Sequence, residues 1–389
     1  MIPPKKNILL VMTFLPLHAF ADDLLLGHPD ATQYSVTLPF ELINNGIFVD
    51  IPIDKQHYRF LLDTGAPTLV SPKFVQQKKL VASNNKIEYT DANGVSGKIP
   101  MYHMPDIKLD NVTFSGYVTP IFEGLDYPPF SCYNASGLIG YNTLRESVLN
   151  LDFVNSELTI SDSAPKNLEK KGYYPAGFYF NGHDGPLLTL WHEFGNMDII
   201  LDTGSNGGVS LNSPSLSQTL IEEDYKGKTI KGSSTNFTIS GSKARKAGGM
   251  YDLRNLSIGK LNVDNFPVTV KEDEVRSLIG IQFLKQYNVV IDFKSSVAWF
   301  KPNGVDAAAS NYPVFGVYPT PQDNTTVVEA VLEESKADLA GVAVGDQIVK
   351  MNGSDTTNLN LSEQCDLFMS DNFDSYTIKT ESGIVTLSN

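Results

Sequence analysis

The sequence predicts a mainly β protein built as two homologous lobes followed by a smaller α+β domain, and three observations carry that reading. The tripeptide Asp-Thr-Gly occurs twice, at 63–65 and 202–204, each time behind large apolar residues, Phe60, Leu61 and Leu62 in one copy and Ile199, Ile200 and Leu201 in the other. Leu-Ile-Gly follows each copy at nearly the same distance, its glycine 77 residues after Asp63 and 78 after Asp202. Past Pro302 the chain changes character, passing through a Gly-, Asp- and Ala-rich stretch into a segment with motifs of its own.

Chance does not explain the repeat, because average residue usage gives about 0.1 copies of Asp-Thr-Gly in a chain of this size. Residues 137–160 align without a gap on 277–300, sharing Leu-Ile-Gly, a later leucine and Asp-Phe at 152/153 and 292/293. Met101-Tyr102 matches Met250-Tyr251 in between. A period of about 140 residues is too long for a solenoid and reads as two lobes.

Taken in order, residues 1–21 place Lys5 and Lys6 before an apolar run at 8–17 and then Ala19-Phe20-Ala21, the layout of a cleavable secretory signal. That run is about half the ~20 residues a membrane-spanning helix needs, so the expectation is export to the periplasm or beyond, with no membrane span. The first lobe is assigned to 22–162 and the second to 163–302. Both are strand-rich, with alternating segments such as 48–53 and 58–62 punctuated by Gly, Asn, Asp and Pro. Short helices are expected at 143–147 and 282–286, just past each Leu-Ile-Gly. Hairpins are expected at 86–102, turning at Asp91-Ala92-Asn93-Gly94, and at 228–250, turning at Gly232-Ser233-Ser234. Each lies about 30 residues past its aspartate and could fold over a cleft. The segment 124–136 of the first lobe has no counterpart in the second. The last domain, 303–389, carries Ala340-Gly341, then Gly345-Asp346-Gln347-Ile348, then an Asn352-Gly353 turn.

Composition narrows the chemistry. A net charge of −14 argues against nucleic acid, which demands clustered cations. Six scattered His and two Cys form no metal-ligand pattern, so neither metal nor cofactor is expected. His192-Glu193 lacks the second histidine of a zinc-protease helix, and Ser205 has no glycine two residues before it, as a serine-hydrolase elbow requires. Cys132 and Cys365 are too few for a disulfide framework; they are either free or a bridge between distant domains. Two carboxylates meeting on a pseudo-twofold axis cannot both ionise easily, so one proton is shared. The ionised member then takes a proton from water while the other donates to the carbonyl under attack.

These motifs resemble those of the aspartic peptidases, both the two-lobed pepsin-like type and the bacterial retropepsin-like proteins fused to a PDZ domain. The resemblance runs from about residue 38 to 300, and the PDZ-like pattern covers most of the rest. It implies two pepsin-like β-barrel lobes around a central cleft, Asp63 and Asp202 as the catalytic pair, and Thr64, Gly65, Ala66, Thr203, Gly204 and Ser205 as their support. Tyr89 and Tyr102 are alternatives for a flap tyrosine. The implied activity is endopeptidase cleavage of protein or peptide by a monomer. Phe315, Gly316, Val317 and Tyr318 would border a PDZ groove for a C-terminal peptide. The alternative is a peptide-binding or scaffolding protein that keeps the fold without catalysis. The lobes differ after the glycine, Ala66 against Ser205, and a hydroxyl at 205 would make Asp202 the more readily ionised while Asp63 keeps the proton.

Overall fold

The computed structural model describes residues 26–90, 95–126, 130–181, 185–238, 241–263, 266–272, 276–305, 313–322, 324–369 and 373–388. The signal expected at 1–21 and the turn expected at Asp91-Ala92-Asn93-Gly94 lie outside them, as does most of the stretch after Pro302. The fold is mainly β, with a PDZ-type domain at its C-terminal end.

The lobes are joined by an antiparallel sheet to which each repeat gives matching strands. Its order is Ser35–Ile43, Glu157–Ser161, Val148–Asp152, Tyr287–Asp292, Val297–Pro302 and Tyr174–Tyr179. The two central strands meet across the lobe boundary, Leu149 opposite Ile291 and Leu151 opposite Val289, all four fully buried. Asp152 and Asp292 end equivalent strands and act in turns. Asp152 accepts from Val154 N at 3.0 Å, and Asp292 from Ser295 N at 2.9 Å.

In the first lobe, Ser35–Ile43, Gly46–Ile53 and Gln56–Asp63 form a three-stranded meander. Its turns put Asn44 and Asn45 at φ 49° and 58°, and Asp54 and Lys55 at 49° and 67°, the pair of left-handed residues that a tight hairpin requires. A helix then follows in each lobe, Pro72–Lys78 and Pro214–Glu222, which the sequence reading missed for want of a long periodic stretch. The available signal was local: Ser71 and Ser213 cap the first turn through bonds from Phe74 N and Leu216 N, and proline occupies the first position. The helices after Leu-Ile-Gly are Tyr141–Leu144 and Ile281–Leu284, slightly earlier than expected, because Gly140 and Gly280 are themselves the N-caps.

The first hairpin pairs Ala82–Thr90 with Ser96–His103. The second exists too, but its turn is not at Gly232-Ser233-Ser234. Gly227–Thr238 is one long strand whose part beyond Gly232 pairs with Gly241–Lys246, from Ser233 opposite Lys246 to Thr238 opposite Gly241. Gly232 instead marks a close approach. Its φ is +119°, and a Cβ there would lie 2.3 Å from the carbonyl oxygen of Glu329 in the last domain.

That domain pairs Val317–Gln322 with Thr325–Leu332, and Gln347–Met351 with both Thr325–Leu332 and Ser375–Thr380, around a core that includes Val328, Val331, Ile348, Tyr376 and Ile378. The Asn352-Gly353 turn is present, with φ of 50° and 79°. The open question over the cysteines is resolved: Cys132 and Cys365 form a disulfide. Cys132 lies in the Phe130–Tyr133 turn of the first-lobe segment that has no counterpart, and Cys365 in the Leu361–Phe368 helix.

Leu149→Ala and Ile291→Ala should each lower stability to urea unfolding by about 2–4 kcal/mol. Because the two side chains face each other across the lobe boundary, the double variant should lose less than the sum.

Candidate active site

Apolar burial brings each aspartate to its place. Phe60 and Leu62 sink into the first-lobe core and Ile199 and Leu201 into the second, all at most 2% exposed, which fixes the strands that end in the two Asp-Thr-Gly turns. Each strand is flanked in parallel by its own Leu-Ile-Gly, Gly140 beside Asp63 and Ile279 beside Leu201. Glycine is required there. A Cβ at Gly140 would lie 2.2 Å from Ala66 O, and one at Gly280 2.4 Å from Gly207 O.

The two turns lock together through their threonines. Thr64 N donates to Thr203 Oγ1 at 2.9 Å, and Thr203 N to Thr64 Oγ1 at 3.0 Å. Each hydroxyl then donates onward across the axis, Thr64 Oγ1 to Leu201 O at 2.7 Å and Thr203 Oγ1 to Leu62 O at 2.9 Å. Both threonines are fully buried, and these bonds satisfy four backbone groups that would otherwise be stranded.

Asp63 and Asp202 meet over this lock. A Cβ on Gly65 would fall 2.5 Å from the Asp202 carboxyl carbon, and one on Gly204 2.3 Å from that of Asp63. Each glycine is thus the floor on which the opposite carboxylate rests. Gly65 N donates to Asp63 Oδ1 at 2.9 Å, while Asp202 Oδ1 accepts from Gly204 N at 2.8 Å and Ser205 N at 3.2 Å.

The pair is electrostatically unequal. Burial, then the charge of Asp202 and the hydrogen bond between the carboxyls, hold Asp63 well above the ordinary carboxylate range. Burial raises Asp202 too, but the Gly204 N–H, the bond from Asp63 and the N–H groups of Ser205 and Gly65 pull it back. Asp63 therefore keeps the proton and Asp202 carries the charge. The Ser205 hydroxyl is not what sets this order: Ser205 acts on Asp202 through its backbone N–H, as Ala66 does on Asp63, and the Gly65 N–H reaches both carboxyls.

Other contacts carry no sequence motif. Asn45, in a first-lobe turn, donates to Asn206 O at 3.0 Å and accepts from Lys285 Nζ at 3.0 Å, tying two parts of the second lobe to the first. Thr68 Oγ1 accepts from Gly140 N at 2.9 Å, and Thr68 N donates to Asn142 Oδ1 at 2.7 Å. Of the two alternatives for a flap tyrosine, Tyr89 stands near the hairpin's tip with its ring over Gly97, and Tyr102 pairs at the base.

The four residues expected to border a peptide groove adjoin one another, but much of their capacity is already engaged. Gly316 N bonds to Pro313 O, Val317 N to Val314 O, and the Phe315 ring packs edge-on against Tyr376. Tyr318 packs on the second lobe, against a cluster that includes Met250. Val328, opposite Pro319, gives its N–H and C=O to Asp346 and Gly345. Pro319, and Pro321 two residues on, therefore face the open edge of their strand and offer it no N–H donor.

The family model for aspartyl protease matches residues 49–143, and that for the PDZ domain matches 305–371. The chain thus carries an aspartyl protease domain and a PDZ domain. No curated protein matches it. Among solved structures it is similar to the basic 7S globulin from soybean, at 12% identity and a TM-score of 0.42, over 71% of this chain and 98% of that one.

Both folded-state carboxyls titrate above the unfolded value of about 3.9, so the folded state holds the extra proton and stability falls as pH rises through the folded values. Asp63→Asn should unfold at a higher temperature than the parent at pH 7. The two should converge near pH 3, below both values, in melts followed by circular dichroism. Thr203→Val should cost about 2–3 kcal/mol by stranding Thr64 N and Leu62 O, and Thr203→Ser should cost much less.

Proposed function

We propose that this chain is an aspartic endopeptidase that hydrolyses peptide bonds with a water activated between Asp63 and Asp202. The observation that carries the reading is a pair of carboxyls, one from each lobe, each set against the other lobe's turn, Asp202 over Gly65 and Asp63 over Gly204. Asp202 takes a proton from the water as it adds to the scissile carbonyl, and Asp63 donates to the carbonyl oxygen. Gly65 and Gly204 allow the close approach, and the Thr64–Thr203 exchange keeps the carboxyls from drifting apart, which matters because sub-ångström errors in such geometry are costly. Thr64, Thr203, Ala66 and Ser205 are positioning residues, not reacting groups.

On the same reading the chain is exported, residues 1–21 being removed, and works as a monomer because one chain supplies both carboxyls. A disulfide between distant domains supports an oxidising compartment. The lobes are assigned to 22–162 and 163–302 and the last domain to 303–389. That domain is a module for substrate or partner peptides. With prolines at the open edge, a peptide added there as a strand meets carbonyl acceptors and few donors, so recognition rests on side chains and on the peptide's end. A cavity of about 410 Å³ beside the Val314–Gly316 turn is lined by Lys228, Phe315, Gly316, Leu332, Ser335 and Lys336, so two basic residues border the place where a terminal carboxylate would dock.

The test is cleavage of a denatured peptide library by the chain from residue 22 onward, between about pH 3 and 8. Asp63→Asn and Asp202→Asn should each lose at least about 10³-fold in kcat. The parent should give a bell-shaped profile, its acid limb set by protonation of Asp202 and its alkaline limb by loss of the Asp63 proton. Absence of cleavage at every pH, with peptide binding retained, would instead establish a non-catalytic peptide-binding protein.

A further inference from the structure

The last domain is fastened to both lobes by unlike means. Toward the second lobe it is part of the same sheet. The Gly227–Thr238 strand pairs first with Gly249–Tyr251, then through Ile230, Lys231 and Gly232 with Leu332, Val331 and Ala330 of the PDZ domain, and only then with Gly241–Lys246 to make the second hairpin. Glu333 N donates to Thr229 O at 2.8 Å, and Lys231 pairs with Asp338 at 2.7 Å. Ile230, Ala247, Met250, Ala330 and Leu332 close into one buried cluster that crosses the boundary. Toward the first lobe the fastening is covalent, Cys365 to Cys132.

We propose that the PDZ domain is a brace for the cleft. Its strand is the foundation of the second hairpin, and its disulfide limits how far the lobes can part. A strand edge consumed by the second lobe, a first-lobe insertion whose turn holds Cys132, and a glycine at 232 that permits the close approach all serve this attachment. The brace pairs through Thr325–Leu332 on the side away from Val317–Gln322, whose outer edge carries Pro319 and Pro321. Its consequence for turnover rests on the peptidase reading above, whereas its mechanical part does not.

The experiment removes one anchor at a time. Gly232→Ala puts a methyl against Glu329 O and should pry off the second-lobe anchor, with Lys231→Glu, opposite Asp338, as a milder version that leaves the packing intact. Cys132→Ser/Cys365→Ser removes the first-lobe anchor. By amide hydrogen exchange, Gly232→Ala should lower protection of 233–238 and 241–246 about tenfold, Lys231→Glu should do so more weakly, and the cysteine variant should do the same for the interlobe strands 148–152 and 287–292. With an extended peptide substrate, KM should rise about tenfold in both anchor variants while kcat and its pH profile hold, because the threonine lock is untouched. Unchanged exchange in either set of segments overturns the brace. If the parent cleaves nothing, the peptidase reading fails and exchange alone decides the mechanical proposal.

Discussion

The reciprocal exchange between Thr64 and Thr203 is the constraint from which the rest of the molecule follows. Two loops from two lobes must end within hydrogen-bond reach, so each threonine hydroxyl accepts one foreign N–H and donates to one foreign carbonyl. In a water-poor site such an arrangement is favourable only when complete, since a single lost partner strands buried polar groups. The apolar residues before each aspartate, the glycines after each threonine and the interlobe sheet below all keep it complete. The carboxyls inherit their proximity from the lock and overcome none of their mutual repulsion by themselves.

Duplication within one chain also frees the halves to diverge. A symmetric dimer would present identical carboxyls, and only a proton's momentary position could distinguish them. Here the N–H groups of Ala66 and Ser205 act alike on their own carboxyls, but the Gly65 N–H also reaches Asp202 and Asp63 is raised the more strongly, so the fold makes the two carboxyls unequal. The same freedom lets the first lobe carry the 124–136 segment and the second a hairpin strand long enough to serve two domains. Symmetry persists at the axis, where geometry is strict, and fades toward the periphery.

How much of this was legible followed from how local each determinant is. The duplicated motifs, with their apolar runs and matching Leu-Ile-Gly, identified the lobes and the two aspartates because the constraints on those residues are the same in both copies. The Asn352-Gly353 turn and the Gly345-Asp346 signature marked the last domain for the same reason. The helices at 72–78 and 214–222 are too short to establish a period and had only their Ser-Pro starts to announce them. Gly232 resembled a turn glycine because sequence cannot tell a left-handed φ that reverses a chain from one that admits a neighbouring backbone. Asn45, Thr68 and the cysteine pairing depend on contacts far apart in the chain, and no spacing rule encodes them.

The span of the disulfide bears on how the molecule is made. Cys365 follows Cys132 by 233 residues, and the enclosed stretch contains the entire second lobe. The first lobe must therefore wait with an unpaired thiol until the final domain has emerged and folded, and its helix has come to rest beside the Phe130–Tyr133 turn. Chains cut short anywhere before residue 365 can never close this loop. The bond thus forms only in a chain whose synthesis has reached its last domain.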